Sequence, residues 1–174
     1  GRSHGRIGGL FANAGVLGAF KPLAETDPGD FEGTIGVNLL GTFLTVRHCL
    51  PLMAGGAIVI NASWTTSAVM PGAGAYAAGK TALLSLMRTL AVEQGPRGIR
   101  VNAINPGIIV TPMAEAVLDP ATAARTAALT PLGRNGTAED VAGTVAWLLS
   151  DDARFVTGQT IGVDGGFALA GPRP

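Results

Sequence analysis

The sequence predicts an α/β fold, a parallel sheet with helices packed against it. Three observations carry this. Short apolar runs at 7–12, 57–62, 99–105 and 158–163 alternate with longer segments of helical periodicity. Three of those runs end in polar or glycine-rich stops, at Asn13-Ala14-Gly15, Ser63 and Pro106-Gly107. The chain has 174 residues, the size of one domain, and is 47% hydrophobic but only 14% charged, which excludes disorder as its main state. Stops that share one edge of an open sheet mark the edge where such folds bind ligands.

The elements read as follows. Residues 1–6 are polar and glycine-rich. Gly1, Gly5 and Gly8 superficially suggest a phosphate loop, but that loop follows a strand and this segment precedes one. We read it as the tail of a missing element. Residues 7–12 form a buried strand, and the small residues Asn13-Ala14-Gly15 after it allow close approach of a ligand or another backbone. After a loop at 16–26, Thr26 or Asp27 caps a helix from Pro28 to Met53. Phe31, Ile35, Leu39, Phe43 and Val46 supply its apolar stripe. Asn38 inside it is either exposed filler or a specific hydrogen-bonding group. His48 suits a helix end better than a ligand role, and Gly55-Gly56 closes the element.

Residues 57–62 are a second strand, with Ser63 at its carboxyl end and a loop at 64–73. A helix over 74–93 carries Tyr76 and Lys80, is apolar through Leu83, Leu84, Met87 and Leu90, and stops at Gly95-Pro96. A third strand, 99–105, ends in Pro106-Gly107. Beyond it lie a short helix over 121–129 and a longer one over 140–149, which Thr137 caps. A fourth strand over 158–163 runs into the turn Asp164-Gly165-Gly166, and the tail 171–174 is loose.

Tyr76 is the only tyrosine, and Lys80 one of two lysines. Four apart on a helix, they share a face. A nearby ammonium favours the phenolate over the phenol, so the pair makes a usable proton donor and acceptor. Chance places a lone Tyr four residues before one of two lysines about once in a hundred, so the pair gains weight chiefly from its surroundings.

Composition narrows the rest. Net charge is zero and the basic residues are scattered, so neither a nucleic-acid nor an anionic-membrane footprint is expected. No apolar run reaches the length of a membrane span, and no signal peptide is present. Cys49 is the sole cysteine and cannot form an internal disulfide, which fits a reducing, cytoplasmic setting. There is no initiator Met, as if the chain were cut from something longer.

Taken in order, these motifs resemble the short-chain dehydrogenase/reductase family. Asn13-Ala14-Gly15 matches its strand stop and Asn38 the Asn of its next helix. Ser63 stands 76 − 63 = 13 residues before Tyr76, and Tyr76 with Lys80 matches Tyr-x-x-x-Lys. Pro106-Gly107 with Thr111 matches Pro-Gly-x-x-x-Thr. Gly133-Arg134, Glu139-Asp140-Val141-Ala142, Thr157-Gly158-Gln159 and Val163-Asp164-Gly165-Gly166 match the carboxyl-terminal portion. No single motif decides this; the ordered set, which covers essentially the whole chain, is specific.

The resemblance implies a Rossmann-like doubly wound sheet of which residues 1–174 are the carboxyl-terminal part, one partial domain of about four strands. The first three strand–helix units are expected to be absent. With them would go the Gly-x-x-x-Gly-x-Gly phosphate loop, the residue that separates NAD from NADP, and the neighbour of the 7–12 strand. The family implies hydride transfer between NAD or NADP and a small alcohol or ketone. Tyr76 would be the acid/base, Ser63 would polarise the substrate oxygen, and Lys80 would bind the nicotinamide ribose and support phenolate character. Asn38 would hold a water linking Lys80 to solvent. Asn13, Ala14, Gly15, Pro106, Gly107, Ile109 and Thr111 would lie along the cofactor with Tyr76 and Lys80, although Thr111 before Pro112 also reads as a helix cap. Trp64, Val69, Met70 and segment 112–130 would shape the substrate pocket, with 112–130 as a lid. A homo-oligomer, dimer or tetramer, is expected through the 74–93 helix. The alternative is a non-enzymatic half-domain that cannot bind cofactor alone and acts by associating with another chain. A lyase or epimerase on the same fold fits less well, because little chain follows Asp164-Gly165-Gly166.

Overall fold

A computed structural model describes residues 5–115 and 118–169. The opening four residues and the tail expected to be loose lie outside the described residues. Four parallel strands form one sheet in chain order: β1 (Gly9–Ala12), β2 (Gly56–Asn61), β3 (Ile99–Pro106) and β4 (Thr160–Val163). Leu10 stands opposite Ile58, Ile58 opposite Val101, and Ala103 opposite Thr160. All four expected strands are present. β1 and β4 start two residues later than the apolar runs do, and β1 pairs only with β2 among the described residues, which leaves it an edge.

The pleat sorts the strand residues between two cores. Ile58, Ile60, Val101 and Ala103 face α3 (Gly74–Gln94), meeting Leu83, Met87 and Leu90. Val59 and Ile104 face the other way, toward Val145 and Leu148 of α6 (Ala138–Leu149). Each such aliphatic side chain, fully buried, contributes about 1.5–3 kcal/mol. The helices between β1, β2 and β3 lie on one face and α6 on the other, while the strands advance in one direction. The last crossover is therefore of opposite hand to the first two and is the exception to the right-handed rule. Its long excursion between β3 and β4 accommodates this.

The expected helix 28–53 is a composite. It comprises α1 (Pro28–Ile35), a π-helical turn (Gly36–Leu40), α2 (Gly41–Cys49) and a 3₁₀ turn (Leu50–Leu52). Neither expected cap operates. Asp27 holds the N-cap position but makes no capping bond and pairs with Lys21 at 3.6 Å, while the Thr26 hydroxyl donates to the Pro22 carbonyl. The expected apolar stripe is also displaced. The buried line is Thr34, Asn38, Thr42 and Val46, whereas Phe31 and Phe43 are 38% and 40% exposed. Their spacing of four, wider than the helical repeat, is kept on one face by the π turn. By length and composition Pro28–Leu52 also passes for a membrane span, with a mean hydropathy of 1.2, which corrects the expectation that no run is long enough. In the fold it lies against α3 and β1 and carries Asp30, Glu32, Arg47 and His48.

Two helices begin earlier than periodicity indicated. α5 (Pro120–Leu129) is capped by Asp119, whose carboxylate accepts from the N–H groups of Ala121 and Thr122. α6 has the expected Thr137 cap, which is half of a capping box with Asp140.

Candidate active site

The carboxyl ends of β1, β2 and β3 open into one cavity of about 1060 Å³. Ser63 follows β2 directly and is 4% exposed. Its hydroxyl accepts the Thr65 N–H at 3.2 Å and caps a 3₁₀ turn over Trp64–Thr66. Its own N–H donates to Asn105 Oδ1 at 3.3 Å, and Asn105 Nδ2 donates to the Thr66 hydroxyl at 2.6 Å. One buried amide from β3 thus pins the backbone at Ser63 and the turn after it. Sequence reading missed Asn105; its only signal was its place immediately before Pro106-Gly107.

α3 brings Tyr76 and Lys80 to the same cavity. Lys80 is 3% exposed, and its Nζ donates to the Asn61 carbonyl at 2.7 Å. That Nζ lies 5.7 Å from the centroid of the half-buried Tyr76 ring. Burial pushes the Lys80 ammonium down to about 8. It pushes the Tyr76 phenol above its ordinary value, against an opposing hydrogen bond from the Ser63 side chain. The expectation that the ammonium would lower the phenol is therefore corrected. The lysine bonds a backbone carbonyl, and loss of water around the phenol outweighs what its neighbours supply.

Asn38 stands behind the cavity wall. Its side chain is fully buried and clasps the Val16 backbone, accepting the N–H at 2.9 Å and donating to the carbonyl at 2.8 Å. Its own carbonyl accepts the Thr42 hydroxyl at 2.8 Å. Asn38 is therefore a specific hydrogen-bonding group that holds the chain just after Asn13-Ala14-Gly15. Gly15 is crowded from below: a Cβ there would come within 2.8 Å of Asn38 Oδ1 and 3.4 Å of Lys80 Nζ. Asn13 braces the sheet as expected, its Oδ1 accepting from Asn61 Nδ2 at 2.6 Å.

Every other residue singled out from the sequence as catalytic or cofactor-binding lines the cavity. Pro106 ends β3 and Ile109 bridges to Gly136. Gly107 sits where a Cβ would fall 2.7 Å from the Asp164 backbone, so close approach of two chain segments requires glycine there. The Thr111 hydroxyl accepts the Ala114 N–H at 3.3 Å, which bears out its reading as the cap of a short helix, α4 (Pro112–Glu115). Trp64, Val69 and Met70 line the cavity, as do Met113, Leu118 and Leu129 from the expected lid; residues 116 and 117 of that lid lie outside the described residues. The Asp164-Gly165-Gly166 turn is structural, with Asp164 accepting the N–H groups of Gly166 and Ala168. It also delivers Phe167 edge-on to Trp64, ring centroids 4.9 Å apart, a contact with no local signature.

The donor set suits a nicotinamide nucleotide. Lys80 has three N–H donors and commits one to Asn61, which leaves two for ribose hydroxyls. Bare backbone at Gly15 admits a ligand closely on the cavity side. In the same wall, Asn61 Oδ1 is buried without a hydrogen-bond partner among the described residues.

Sequence and fold both match known proteins. A family model described as enoyl-(acyl carrier protein) reductase matches residues 1–168. Levodione reductase of Leifsonia aquatica is 38% identical over 176 residues, covering 95% of this chain and 66% of that protein. The 3-oxoacyl-(acyl-carrier-protein) reductase of Thermotoga maritima is 39% identical, covering 97% of this chain and 69% of that protein. The crystal structure of levodione reductase superposes with a TM-score of 0.93 at 37% identity, covering 98% of this chain and 70% of that one. A gluconate 5-dehydrogenase of Burkholderia cenocepacia, solved with NADP and tartrate, gives 0.92 at 30% identity, covering 98% and 68%. The chain spans about two thirds of the length of the curated relatives it matches.

Proposed function

We propose a function for a chain that belongs to the short-chain dehydrogenase/reductase family: NAD(P)-dependent oxidoreduction of a small alcohol or ketone, with Tyr76 as acid/base. One observation carries this reading. Ser63, Tyr76 and Lys80 meet in a single cavity, with Lys80 Nζ 5.7 Å from the centroid of the phenol ring.

A bound nicotinamide supplies or accepts the hydride. Everything else falls to the chain. The Ser63 hydroxyl holds the substrate oxygen beside the phenol and polarises it. In the reducing direction Tyr76 gives its proton to that oxygen as charge builds on it. A phenol raised by burial is protonated at neutral pH and poised as that acid. In the oxidising direction Tyr76 takes the proton back. With its value at about 8, Lys80 is mostly charged at pH 7, and its two spare donors hold the ribose. Asn38 fixes the backbone at Val16 and supports the water through which Lys80 exchanges protons with solvent. Asn13, Ala14, Gly15, Pro106, Gly107, Ile109 and Thr111 line the cavity and would hold the nicotinamide half of the cofactor.

Titration of the chain with NADH and with NADPH, followed by nucleotide fluorescence, tests the reading. Saturable binding of at least one nucleotide is expected, weakened at least tenfold by Lys80→Ala, roughly the loss of a charge-assisted hydrogen bond. Absence of saturation with both would sink it for this chain and favour a non-enzymatic half-domain.

A second copy of the chain is the proposed partner, in a dimer or tetramer. The exposed apolar side chains gather on the 28–52 stretch more than on α3: Phe31, Val37, Leu40, Phe43 and Leu44 are 37–51% exposed. Sedimentation equilibrium should give at least a dimer at micromolar concentration, and Leu40→Glu should dissociate it. A monomeric wild type would refute this assembly.

A further inference from the structure

We infer that the substrate carries an oxoanion, a carboxylate in the first instance, and that Arg125 binds it. This rests on the oxidoreductase reading of the same cavity and names the class of alcohol or ketone it takes.

The argument starts from the charges on the wall. Among the side chains the structure describes, which do not include that of Glu115, the cavity is lined by two cations, Lys80 and Arg125, and by no aspartate or glutamate. The chain as a whole is neutral, with twelve basic and twelve acidic residues, so this imbalance belongs to the cavity and not to the composition. Lys80 is buried and bonded to the Asn61 carbonyl. Arg125 is exposed and has no ion pair or hydrogen bond among the described residues; the three ion pairs there are made by Lys21 and Arg134. Its guanidinium is the accessible charge.

Arg125 is also placed by an anchored element. α5 turns Thr122, Arg125, Thr126 and Leu129 to the cavity, the offsets of one helix face. Asp119 caps its start. On its inner side the Thr126 hydroxyl donates to Asn135 Oδ1 at 2.9 Å, and Asn135 Nδ2 returns a bond to the Ala123 carbonyl at 2.9 Å. A guanidinium keeps its charge and offers five donors in a planar fork, which matches a carboxylate two bonds at a time.

Apolar side chains make up much of the remaining wall. Trp64 and Phe167 stack edge to face, and Met70, Met113 and Leu118 complete the lining on this side. The ligand that fits is an apolar keto or hydroxy acid, its reacting oxygen at Ser63 and Tyr76 and its carboxylate at Arg125. Phosphates of a nucleotide share the oxoanion chemistry. We assign the substrate because Arg125 stands on the helix beyond the strand ends and turns that we assign to the nicotinamide.

The probes are benzoylpropionate and its methyl ester, which differ in the charge at one end. Their affinities for the 174-residue chain are measured by calorimetry at low salt, in wild type, Arg125→Gln and Arg125→Lys. The acid is expected to bind about tenfold more tightly than the ester, the size of one charge-assisted hydrogen-bonded contact. Arg125→Gln should bring the acid to the level of the ester, and Arg125→Lys should recover part of the preference. Unchanged melting of both variants, expected for an exposed helix position, would exclude unfolding as the cause. The inference is overturned if wild type binds acid and ester equally, if it binds neither, or if the preference survives Arg125→Gln. It is equally overturned if Arg125→Gln weakens NADH or NADPH binding and spares the acid, because the oxoanion would then be the nucleotide's. Ketone reduction is scored separately. Preference for the acid without turnover would leave the anion site standing and sink the reductase reading; equal turnover of acid and ester would do the reverse.

Discussion

Tyr76→Phe should lower turnover of a ketone by about 10²–10⁴-fold, the usual contribution of a positioned general acid, with nicotinamide affinity kept within about twofold. The substitution removes one hydroxyl and leaves the ring, so packing against the cavity wall is preserved. What disappears is the proton that would reach the substrate oxygen. An interaction made mainly in the transition state lowers kcat without raising KM. The pH profile sharpens the test. Burial raises the phenol, so its acidic form persists through neutral pH, and reduction should fall only as pH climbs through that raised value. Oxidation of the alcohol should rise over the same range, because it needs the phenolate. Steady-state rates in both directions from pH 7 to beyond pH 11, in wild type and variant, check this. Normal turnover by Tyr76→Phe would remove Tyr76 from the chemistry.

Much of this site could be read from sequence because its parts are encoded locally. A strand stop, a helical spacing of four and a glycine before a turn each report on their own few residues. Hence Ser63, Tyr76, Lys80 and the stops at Asn13-Ala14-Gly15 and Pro106-Gly107 fall where expected, at one end of one sheet. The parts that escaped depend on contacts across the chain. Asn105 reaches Ser63 over 42 positions, and Phe167 meets Trp64 only after β4 is in place. The 28–53 helix shows the limit most clearly. Its apolar stripe was visible, but Thr34, Asn38 and Thr42 take the buried line instead, each satisfied there by a hydrogen bond. Periodicity reports where apolar residues lie, and only assembly decides whether that face meets this chain's core or another surface. The sign of the Tyr76 shift was missed for a related reason. Spacing predicts that Lys80 is near, but it does not predict how deeply both groups are buried.

Lys80→Met is expected to stabilise the fold while abolishing the proposed activity. Lys80 is 3% exposed and titrates at about 8 instead of 10.5, a depression caused by burial. Such a shift corresponds to about 3 kcal/mol of penalty for holding the ammonium inside at pH 7. Met fills similar space without charge. Against this gain stands the lost bond from Nζ to the Asn61 carbonyl, about 1–3 kcal/mol. Replacement of buried charges by apolar groups of like size often comes out favourable by about 1–4 kcal/mol, and we expect a net gain of about 1–2 kcal/mol at pH 7. The sign of the pH dependence follows from linkage. Between about 8 and 10.5 the folded wild type has released a proton that the unfolded chain still binds, so wild-type stability rises with pH across that window. The advantage of Lys80→Met should therefore be full below pH 8 and shrink as pH rises. Because Tyr76 is raised, its own contribution is lost only above pH 10 and runs the other way, so the comparison belongs below that point. Urea unfolding of both proteins from pH 6.5 to pH 9.5 measures it. A less stable variant at pH 7, or a difference that does not change with pH, would show that the ammonium is better solvated than its burial implies. The expected result, a sturdier protein that no longer holds nicotinamide, would mean that a buried lysine is kept here at a cost in stability because the site needs its charge.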